Sequence, residues 1–299
     1  MKIFLTGGTG FIGSYVVHEL VKNGHRVTIL ARNPHKVRGF LGNPSIELIQ
    51  GTLYDRETIK NALDGKDACI HIALGWGDTA VDMLNADTLP SLYIFETAAK
   101  LGVKKLIYTS SIASYGDTGI PHSETSFTRP STFYGATKAS AESFLFAMTH
   151  VYGLRGNVVS PGYTFGNPVV DGASIYTDQS FRNIVKSAEN NEPIRLVKNS
   201  GTQFIWAGDL AKIYAALVAS EHNRRIFIGV STEFTLWEEV ARMAIEYIGS
   251  KSEIVLEDKG VKNENYPIDV SPIEREFGFK FVTKDRLKDH IAYLAGSGA

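Results

Sequence analysis

A glycine-rich turn near the start of the chain limits the possible folds more than any other feature. The run Gly7-Gly8-Thr9-Gly10-Phe11-Ile12-Gly13 joins a short apolar segment to a helical pattern. A strand that turns this tightly into a helix presents the free N–H groups of the helix N-terminus to a phosphate. Gly7 permits the turn, Gly10 permits close approach of a pyrophosphate, and Gly13 permits close packing of the helix on the sheet. This turn predicts a dinucleotide site formed by Gly7, Gly10, Phe11, Ile12 and Gly13.

Beyond this turn, short apolar runs continue to alternate with helical patterns. We predict strands over residues 2–6, 26–31, 46–50, 68–73, 105–109 and 156–160. We predict helices over residues 11–23, 55–63, 88–101 and 133–152, and later ones over 174–189, 209–220, 236–248 and 284–294. This order indicates an α/β fold with a Rossmann-type doubly wound parallel sheet. We assign residues 1–160 to the dinucleotide-binding domain and 161–299 mostly to a smaller substrate-binding part, with segments within about 200–230 returning to the first.

Composition excludes several classes of protein. The 299 residues carry 31 basic and 32 acidic side chains, so nucleic acid and anionic membrane surfaces are not expected partners. No apolar stretch is long enough to span a bilayer, and the first residues read as a strand rather than a leader, which favours a cytoplasmic protein. The single cysteine, Cys69, lies in an apolar run and is expected in the core. The histidines show no metal-ligand spacing, so no metal site is predicted.

The end of the second predicted strand bears on the choice of cofactor. An NAD site usually places an acidic residue there to bind the ribose 2′-hydroxyl, whereas this chain has Arg32 followed by Lys36. A guanidinium binds phosphate oxygens bidentately, so Arg32 is suited to the 2′-phosphate of NADP(H). The alternative is that Arg32 is an ordinary solvated cation. The sequence therefore favours NADP(H) over NAD(H).

Tyr134 and Lys138 are the candidate reactive pair. They lie four positions apart on a predicted helix and so project from one face. A nearby ammonium favours the phenolate, which brings the phenol closer to acid/base work at neutral pH. Tyr247 and Lys251 share the spacing but lack a serine-rich strand end before them. We therefore predict that Tyr134 donates a proton to a carbonyl oxygen or removes one from an alcohol, while hydride moves at a nicotinamide.

Taken together, the motifs resemble those of the extended short-chain dehydrogenase/reductase superfamily. They include the glycine turn, Gly51-Thr52-Leu53-Tyr54-Asp55, His71-Ile72-Ala73, the segment 108–116, Tyr134-Gly135-Ala136-Thr137-Lys138 and Asp209-Leu210-Ala211. The resemblance implies that Ser111 hydrogen-bonds the substrate oxygen and that Lys138 also holds the nicotinamide ribose. It implies cofactor contacts at Thr52, Leu53, Ala73 and Pro161, and a homodimer formed through two helices of each subunit.

The chain also departs from these relatives. Thr52 stands where the family usually has an acid at the adenine, and Asp87 where it has an asparagine ahead of the long helix. Two arginines typical of relatives that act on nucleotide sugars are absent, one from 201–206 and one at Ser160. Ala31-Arg32-Asn33-Pro34 instead resembles NADPH-dependent carbonyl reductases of the dihydroflavonol reductase branch. Aromatic residues that are candidates for an apolar pocket are Trp76, Tyr163, Phe165, Tyr176 and Trp206.

These observations lead to three hypotheses about function. The first is an NADP(H)-dependent oxidoreductase that interconverts a carbonyl and an alcohol on a small-molecule substrate. The second is an NAD(P)-dependent epimerase or dehydratase of a sugar or nucleotide sugar, in which the cofactor is reduced and reoxidised within one turnover. The third is a non-catalytic regulator that senses NADP(H), which retention of Tyr134 and Lys138 disfavours.

Overall fold

The computed structural model describes residues 1–116, 122–174, 179–262 and 268–296. The strands are β1 (Lys2–Thr6), β2 (Arg26–Ala31), β3 (Ile46–Gln50), β4 (Ala68–His71), β5 (Lys105–Thr109), β6 (Arg155–Pro161), β7 (Thr164–Phe165), β8 (Ile194–Val197), β9 (Gly201–Thr202), β10 (Ile205–Trp206), β11 (Ile226–Gly229), β12 (Thr235–Leu236) and β13 (Ile254–Glu257). The helices are α1 (Phe11–Lys22), α2 (Arg56–Leu63), α3 (Ala80–Met83), α4 (Leu89–Lys100), α5 (Phe133–Tyr152), α6 (Gln179–Glu189), α7 (Ala207–Ala219), α8 (Trp237–Ile248), α9 (Ser271–Phe277) and α10 (Lys284–Gly296). A π-helical turn (Leu84–Thr88) precedes α4, and a short 3-10 turn (Ile112–Ser114) follows β5.

The central sheet has seven parallel strands in the order β3-β2-β1-β4-β5-β6-β11. The chain winds outward from β1 in one direction and then from β4 in the other, so the crevice for a ligand lies at the carboxyl ends of β1 and β4. This confirms the predicted Rossmann-type fold.

Helices cover both faces of this sheet because its central strands are buried throughout. One core packs α1 and α7 on the sheet through residues such as Val16, Leu210 and Tyr214. The opposite core packs α2, α4 and α5 through residues such as Phe95 and Leu145. A third core joins α6, α8 and α10. The edge strand β11 and helix α7 belong to the sheet layer although they follow residue 200, while the division of the chain at residues 160 and 161 stays a prediction.

Several predicted boundaries were wrong for identifiable reasons. Strand β4 ends at His71 rather than at 73, because the Ala73 amide donates to the Thr6 hydroxyl (3.4 Å) and leaves the strand ladder. Ser174 is not helical and instead accepts a hydrogen bond from Lys36. The helix predicted from 88 begins at Leu89, after the π-helical turn. The short strands β7–β13 and helices α3 and α9 went unpredicted because so few residues carry no readable periodicity.

The described residues contain neither a membrane-spanning helix nor a metal-binding cluster. No helix in the described part of the chain is long and apolar enough to cross a bilayer. The same residues bring no group of three His, Cys, Asp or Glu side chains together in a metal-binding arrangement. Cys69 is fully buried in the core, as predicted.

Candidate active site

The glycine turn between β1 and α1 forms a cradle that only glycine allows. Gly7 has a φ of +78°, and a Cβ there would lie 2.6 Å from the Ala73 amide nitrogen. A Cβ on Gly13 would lie 2.0 Å from the Gly7 carbonyl oxygen. Gly10 is the N-cap of α1 and provides no side-chain cap, so no side chain covers this end of the helix from that position. The turn therefore fits a dinucleotide, and Gly7 and Ala73, both predicted as cofactor residues, are in contact.

The loop after β2 uses its basic residues in different ways. Lys36 Nζ donates to Ser174 Oγ (2.9 Å), and Arg38 forms a two-pronged ion pair with Asp171 (2.9 and 3.0 Å). These contacts hold the segment after β7 over the loop. Arg32 is exposed and forms no ion pair with any residue that the structure describes. Arg32 and Lys36 are both exposed, and Lys36 uses one of its three ammonium donors on Ser174, so the 2′-phosphate contact at these two residues stays a prediction.

At the predicted adenine end, Thr52 is bonded within its own turn. Its backbone N–H and its hydroxyl both donate to the Asp55 carboxylate, at 2.5 and 2.9 Å. These hydrogen bonds lower the pKa of the exposed Asp55 carboxyl. Leu53 packs partly against the core beside α2. Both Thr52 donors are therefore used within the turn, and the adenine contact at Thr52 and Leu53 stays a prediction.

Helix α5 brings the reactive pair to the carboxyl edge of the sheet. The Thr132 hydroxyl caps the helix by accepting from the Gly135 amide (3.0 Å), which fixes the first turn where Tyr134 lies. Lys138 is 3% exposed, and its Nζ lies 5.7 Å from the centroid of the Tyr134 ring. Trp76 flanks Tyr134 on its exposed side, with ring centroids 6.0 Å apart. The structure thus places the predicted pair on one face, with the lysine beneath the phenol ring.

Ser111 lies beside this helix start. It is the N-cap of the 3-10 turn, and its hydroxyl accepts from the Ala113 amide (3.2 Å). A Cβ on Gly135 would lie 2.2 Å from the Ala113 carbonyl oxygen, so the turn and the first turn of α5 are in direct contact. Ser110 is 2% exposed and donates to the Glu142 carboxylate. Ser111, which is partly exposed, is therefore the serine available to a substrate.

Glu142 is a buried carboxylate that was not among the predicted site residues. It lies one helical turn after Lys138, is 3% exposed and accepts from Ser110. Burial raises the pKa of the Glu142 carboxyl to about 6, although the hydrogen bonds and Lys138 oppose that shift. The sequence pattern could have identified Glu142, because it lies on the same stripe of α5 as Lys138. A charged residue on an otherwise apolar stripe needs a buried partner.

Asp87 is the second buried carboxylate, at the centre of a polar network. Its Oδ2 lies 3.3 Å from Lys138 Nζ, its Oδ1 accepts from the Gly75 amide (3.2 Å), and its carbonyl oxygen accepts from Ser91 (2.7 Å). His71 continues the network through Ser91 (2.8 Å) and Thr6 (2.6 Å). Burial lowers the pKa of His71 to about 3, assisted by the charge of Lys138. His71 is therefore a neutral strand residue with both ring nitrogens hydrogen-bonded, and not a base.

The remaining predicted residues are dispersed. Pro161 is buried as the last residue of β6 and is paired in register with Gly229. Phe165 is 1% exposed and packs with Phe181 and Phe204, so it is part of the third core and not a pocket wall. Tyr163 packs against the same aromatic group, and Tyr176 lies outside the described residues. Among the candidates for an apolar pocket, Trp76 is the one placed beside Tyr134.

Trp206 lines a different cavity of about 240 Å³, between α1, the segment after β7 and α10. The Arg286 guanidinium lies over its ring, 4.2 Å from the centroid, and Tyr15 packs against it edge to face. Trp206 is therefore separated from the group of residues around Tyr134 that carries the acid/base chemistry.

Comparison with known proteins assigns the chain to a family. Residues 3–229 match the model of the NAD dependent epimerase/dehydratase family. The chain belongs to this family. The match includes the glycine cradle, Ser111, Tyr134 and Lys138, and it confirms the resemblance to extended short-chain dehydrogenases/reductases.

Relatives of known activity cover part of the chain. A UDP-glucose 4-epimerase of Neisseria meningitidis serogroup C is 33% identical over 159 residues, 48% of this chain and 47% of that protein. A dTDP-glucose 4,6-dehydratase of Mycobacterium tuberculosis is 30% identical over 180 residues, 56% of this chain and 54% of that protein. The match thus spans about half the length of these relatives. Among solved structures, a UDP-glucuronic acid 4-epimerase from Bacillus cereus in complex with UDP-glucuronic acid and NAD superposes with a TM-score of 0.83. It is 19% identical and the match covers 99% of this chain and 100% of that one, which shows a shared fold.

These comparisons change the weight of the functional hypotheses. The family and its relatives favour the epimerase/dehydratase alternative over the carbonyl reductase that we placed first. They support an NAD-dependent family of enzymes and give no support to a preference for NADP(H). The expectation drawn from Arg32 has not been confirmed.

Proposed function

We propose that the protein is an NAD(P)-dependent epimerase that inverts a secondary alcohol carbon of a sugar, most simply of a nucleotide sugar. The observation that carries the proposal is the placement of Tyr134, over the buried Lys138 and next to Ser111, at the sheet edge where the glycine cradle lies. The family and the relatives matched along half of the chain support the same class of reaction.

The residues of this chain fit the roles that such a reaction needs. The glycine turn and α1 would hold the pyrophosphate of the dinucleotide, and Lys138 its nicotinamide ribose. A nicotinamide bound there would supply the redox chemistry: it would take up hydride from the substrate carbon and give it back to the opposite face of the resulting ketone, which inverts that carbon. Tyr134 Oη, as phenolate, takes the proton of the substrate hydroxyl as the carbonyl forms, and gives it back when the alcohol is restored. Ser111 Oγ donates a hydrogen bond to the same oxygen, and the Lys138 ammonium favours the phenolate.

The surroundings of Tyr134 favour epimerisation over dehydration. Loss of water from a sugar needs a base for the carbon-bound proton and an acid for the departing hydroxyl. The positions directly after Ser111 are Ile112 and Ala113, which can supply neither. Both carboxylates are buried: Asp87 forms an ion pair with Lys138, and Glu142 accepts a hydrogen bond from Ser110, so neither faces a substrate.

A specific observation keeps the NADP(H)-dependent reductase as a second candidate. Arg32 is exposed at the end of β2, the strand end lacks the usual acid, and the guanidinium forms no ion pair with the described residues. A cation in this place is complementary to the negative charge of a 2′-phosphate, which the neutral 2′-hydroxyl of NAD lacks.

One set of measurements separates the two candidates. The purified protein is first checked for retained nucleotide and titrated calorimetrically with NADH and NADPH, using native chain and Arg32→Ala. It is then incubated with a UDP-hexose, and the product is examined by NMR against Tyr134→Phe. Retained nucleotide and an inverted sugar that Tyr134→Phe does not form would support the epimerase. An NADPH preference that collapses in Arg32→Ala, with net consumption of NADPH on aldehydes or ketones and no epimer, would replace it with the reductase.

The homodimer implied by the resemblance is also a proposal. The faces of α4 and α5 that point away from the sheet carry exposed apolar side chains, among them Leu89, Phe144 and Val151. The Tyr152 hydroxyl donates to Glu96 (2.8 Å) and ties the two helices into one surface. A second copy packed on this surface would bury these residues.

A further inference from the structure

We infer that Asp87 is a positioning residue: its carboxylate is the counter-ion that keeps the buried Lys138 charged, and it anchors the strand-end loop at Gly75 to that lysine. This inference goes beyond the proposed function. It rests on that function only for its consequence, because a charged Lys138 matters most if Tyr134 performs acid/base chemistry.

Lys138 and Asp87 form a buried ion pair. Lys138 and Asp87 have side chains that are 3% and 1% exposed, and their charged atoms are 3.3 Å apart. An ammonium without a partner at such a site would lose its proton, because burial disfavours the charged form. Burial indeed lowers the pKa of Lys138, and the charge of Asp87 acts in the opposite direction. The lysine thus remains an ammonium only if an anion lies beside it.

Groups from β4, β5 and α5 surround the Lys138 ammonium. From β5, Tyr108 presents its ring 5.2 Å from Nζ, and from β4 the neutral His71 lies close by. On α5 itself are Tyr134 and Glu142. Glu142 is a weaker counter-ion, because its own pKa is raised to about 6 and its oxygen is occupied by Ser110. Among the described residues, Asp87 is the carboxylate in ion-pair contact with Lys138.

The backbone around Asp87 positions its carboxylate beside Lys138. Asp87 lies in the π-helical turn Leu84–Thr88, which breaks the regular α-helical spacing between α3 and α4. Such turns place one side chain out of step with the helix and are frequent at functional sites. Here the Ser91 hydroxyl bonds the Asp87 carbonyl oxygen, and Asp87 Oδ1 accepts from the Gly75 amide. Gly75 lies two residues after Ala73, which touches the glycine turn, so the same carboxylate links the dinucleotide cradle to the reactive lysine.

The experiment measures the ionisation of Lys138 directly. Side-chain NMR resonances of isotope-labelled lysines are followed with pH, and Lys138 is assigned by comparison with Lys138→Met. We expect a titration midpoint above neutral pH in the native protein. In Asp87→Asn, which keeps an oxygen for the Gly75 amide, the midpoint should fall by about one pH unit or more, a tenfold or greater rise in the acid dissociation constant.

The matched control is Asp209→Asn. Asp209 is also mostly buried, but it pairs with Lys212 on α7 (2.7 Å), so its removal should leave the Lys138 midpoint unchanged. An equal midpoint in Asp87→Asn and the native protein would overturn the inference. If Asp87→Asn does not fold, the native chain still decides, because a midpoint at or below neutral pH would show that no counter-ion holds the charge. No substrate is used, so failure of the proposed function would leave this result unaffected.

Discussion

Replacement of Gly13 by alanine tests whether the glycine cradle sets both the packing of α1 and dinucleotide binding. The new Cβ would lie 2.0 Å from the Gly7 carbonyl oxygen, while ordinary contact begins at 3.4 Å. The turn and the helix must therefore separate by about 1.4 Å, the difference between these two distances. Both sides of the contact are backbone, so a side-chain rotation cannot relieve it.

The cost follows from that separation. Overpacking of a close contact costs roughly 1–3 kcal/mol, and a backbone contact belongs at the upper end, about 3 kcal/mol. Alanine recovers about 1 kcal/mol through its better helix propensity. A net loss of about 2 kcal/mol in the free energy of unfolding should lower Tm by roughly 4 °C. Displacement of the helix N-terminus should weaken binding of NADH and NADPH about tenfold or more.

Calorimetric titration with both nucleotides and thermal unfolding check these values. Gly296→Ala is the matched control, because that glycine is also helical and has no atom within contact distance of its Cβ position. Unchanged nucleotide affinity in a Gly13→Ala protein of native Tm would refute the reasoning. A loss of stability without loss of affinity would show that the cradle serves packing alone.

Three further predictions follow from the buried groups and the exposed helix face. Burial raises the pKa of Glu142 to about 6, so the native state holds this proton more tightly than the unfolded chain and the contribution to stability is lost as pH rises through that value. The free energy of unfolding measured in urea should therefore fall by about 1 kcal/mol more in the native protein than in Glu142→Gln between about pH 5 and about pH 7. Equal changes in both proteins would contradict this. His71 has the opposite sign, because burial lowers its pKa to about 3 and its contribution is present above the unfolded pKa and lost as pH falls. On acidification from about pH 7 to about pH 5 the native protein should lose about 2 kcal/mol more than His71→Gln, and parallel curves would rule this out. Phe144→Asp, on the exposed face of α5, should convert the proposed dimer to a monomer, as measured by light scattering. Tyr247→Asp, at a similarly exposed position on α8, should leave the mass unchanged, and no difference between the two variants would exclude this face as the interface.

Local patterns were sufficient to predict the elements that repeat regularly. The limits of β1, β2, β3, β5 and α5 agree with the structure because each is a periodic run bounded by turn residues. The glycine turn was equally legible, since the steric demands at Gly7 and Gly13 arise within a few residues of chain. The pairing of Tyr134 with Lys138 also needs only the helical repeat.

Contacts between residues that are remote in the sequence could not be predicted from local patterns, because they depend on which segments the fold brings together. Asp87 precedes Lys138 by 51 residues in sequence, and only the π-helical turn and the packing of α4 on α5 bring their charged atoms to 3.3 Å. In the same way, the hydrogen bond from Lys36 to Ser174 forms only because the segment after β7 folds over the loop that follows β2. The sequence by itself determined strands β1–β6 of the central sheet, the cradle and the reactive pair, because these are local in the chain. Tertiary structure alone decided which charges are buried and what neutralises them, since desolvation depends on neighbours that are remote in the sequence.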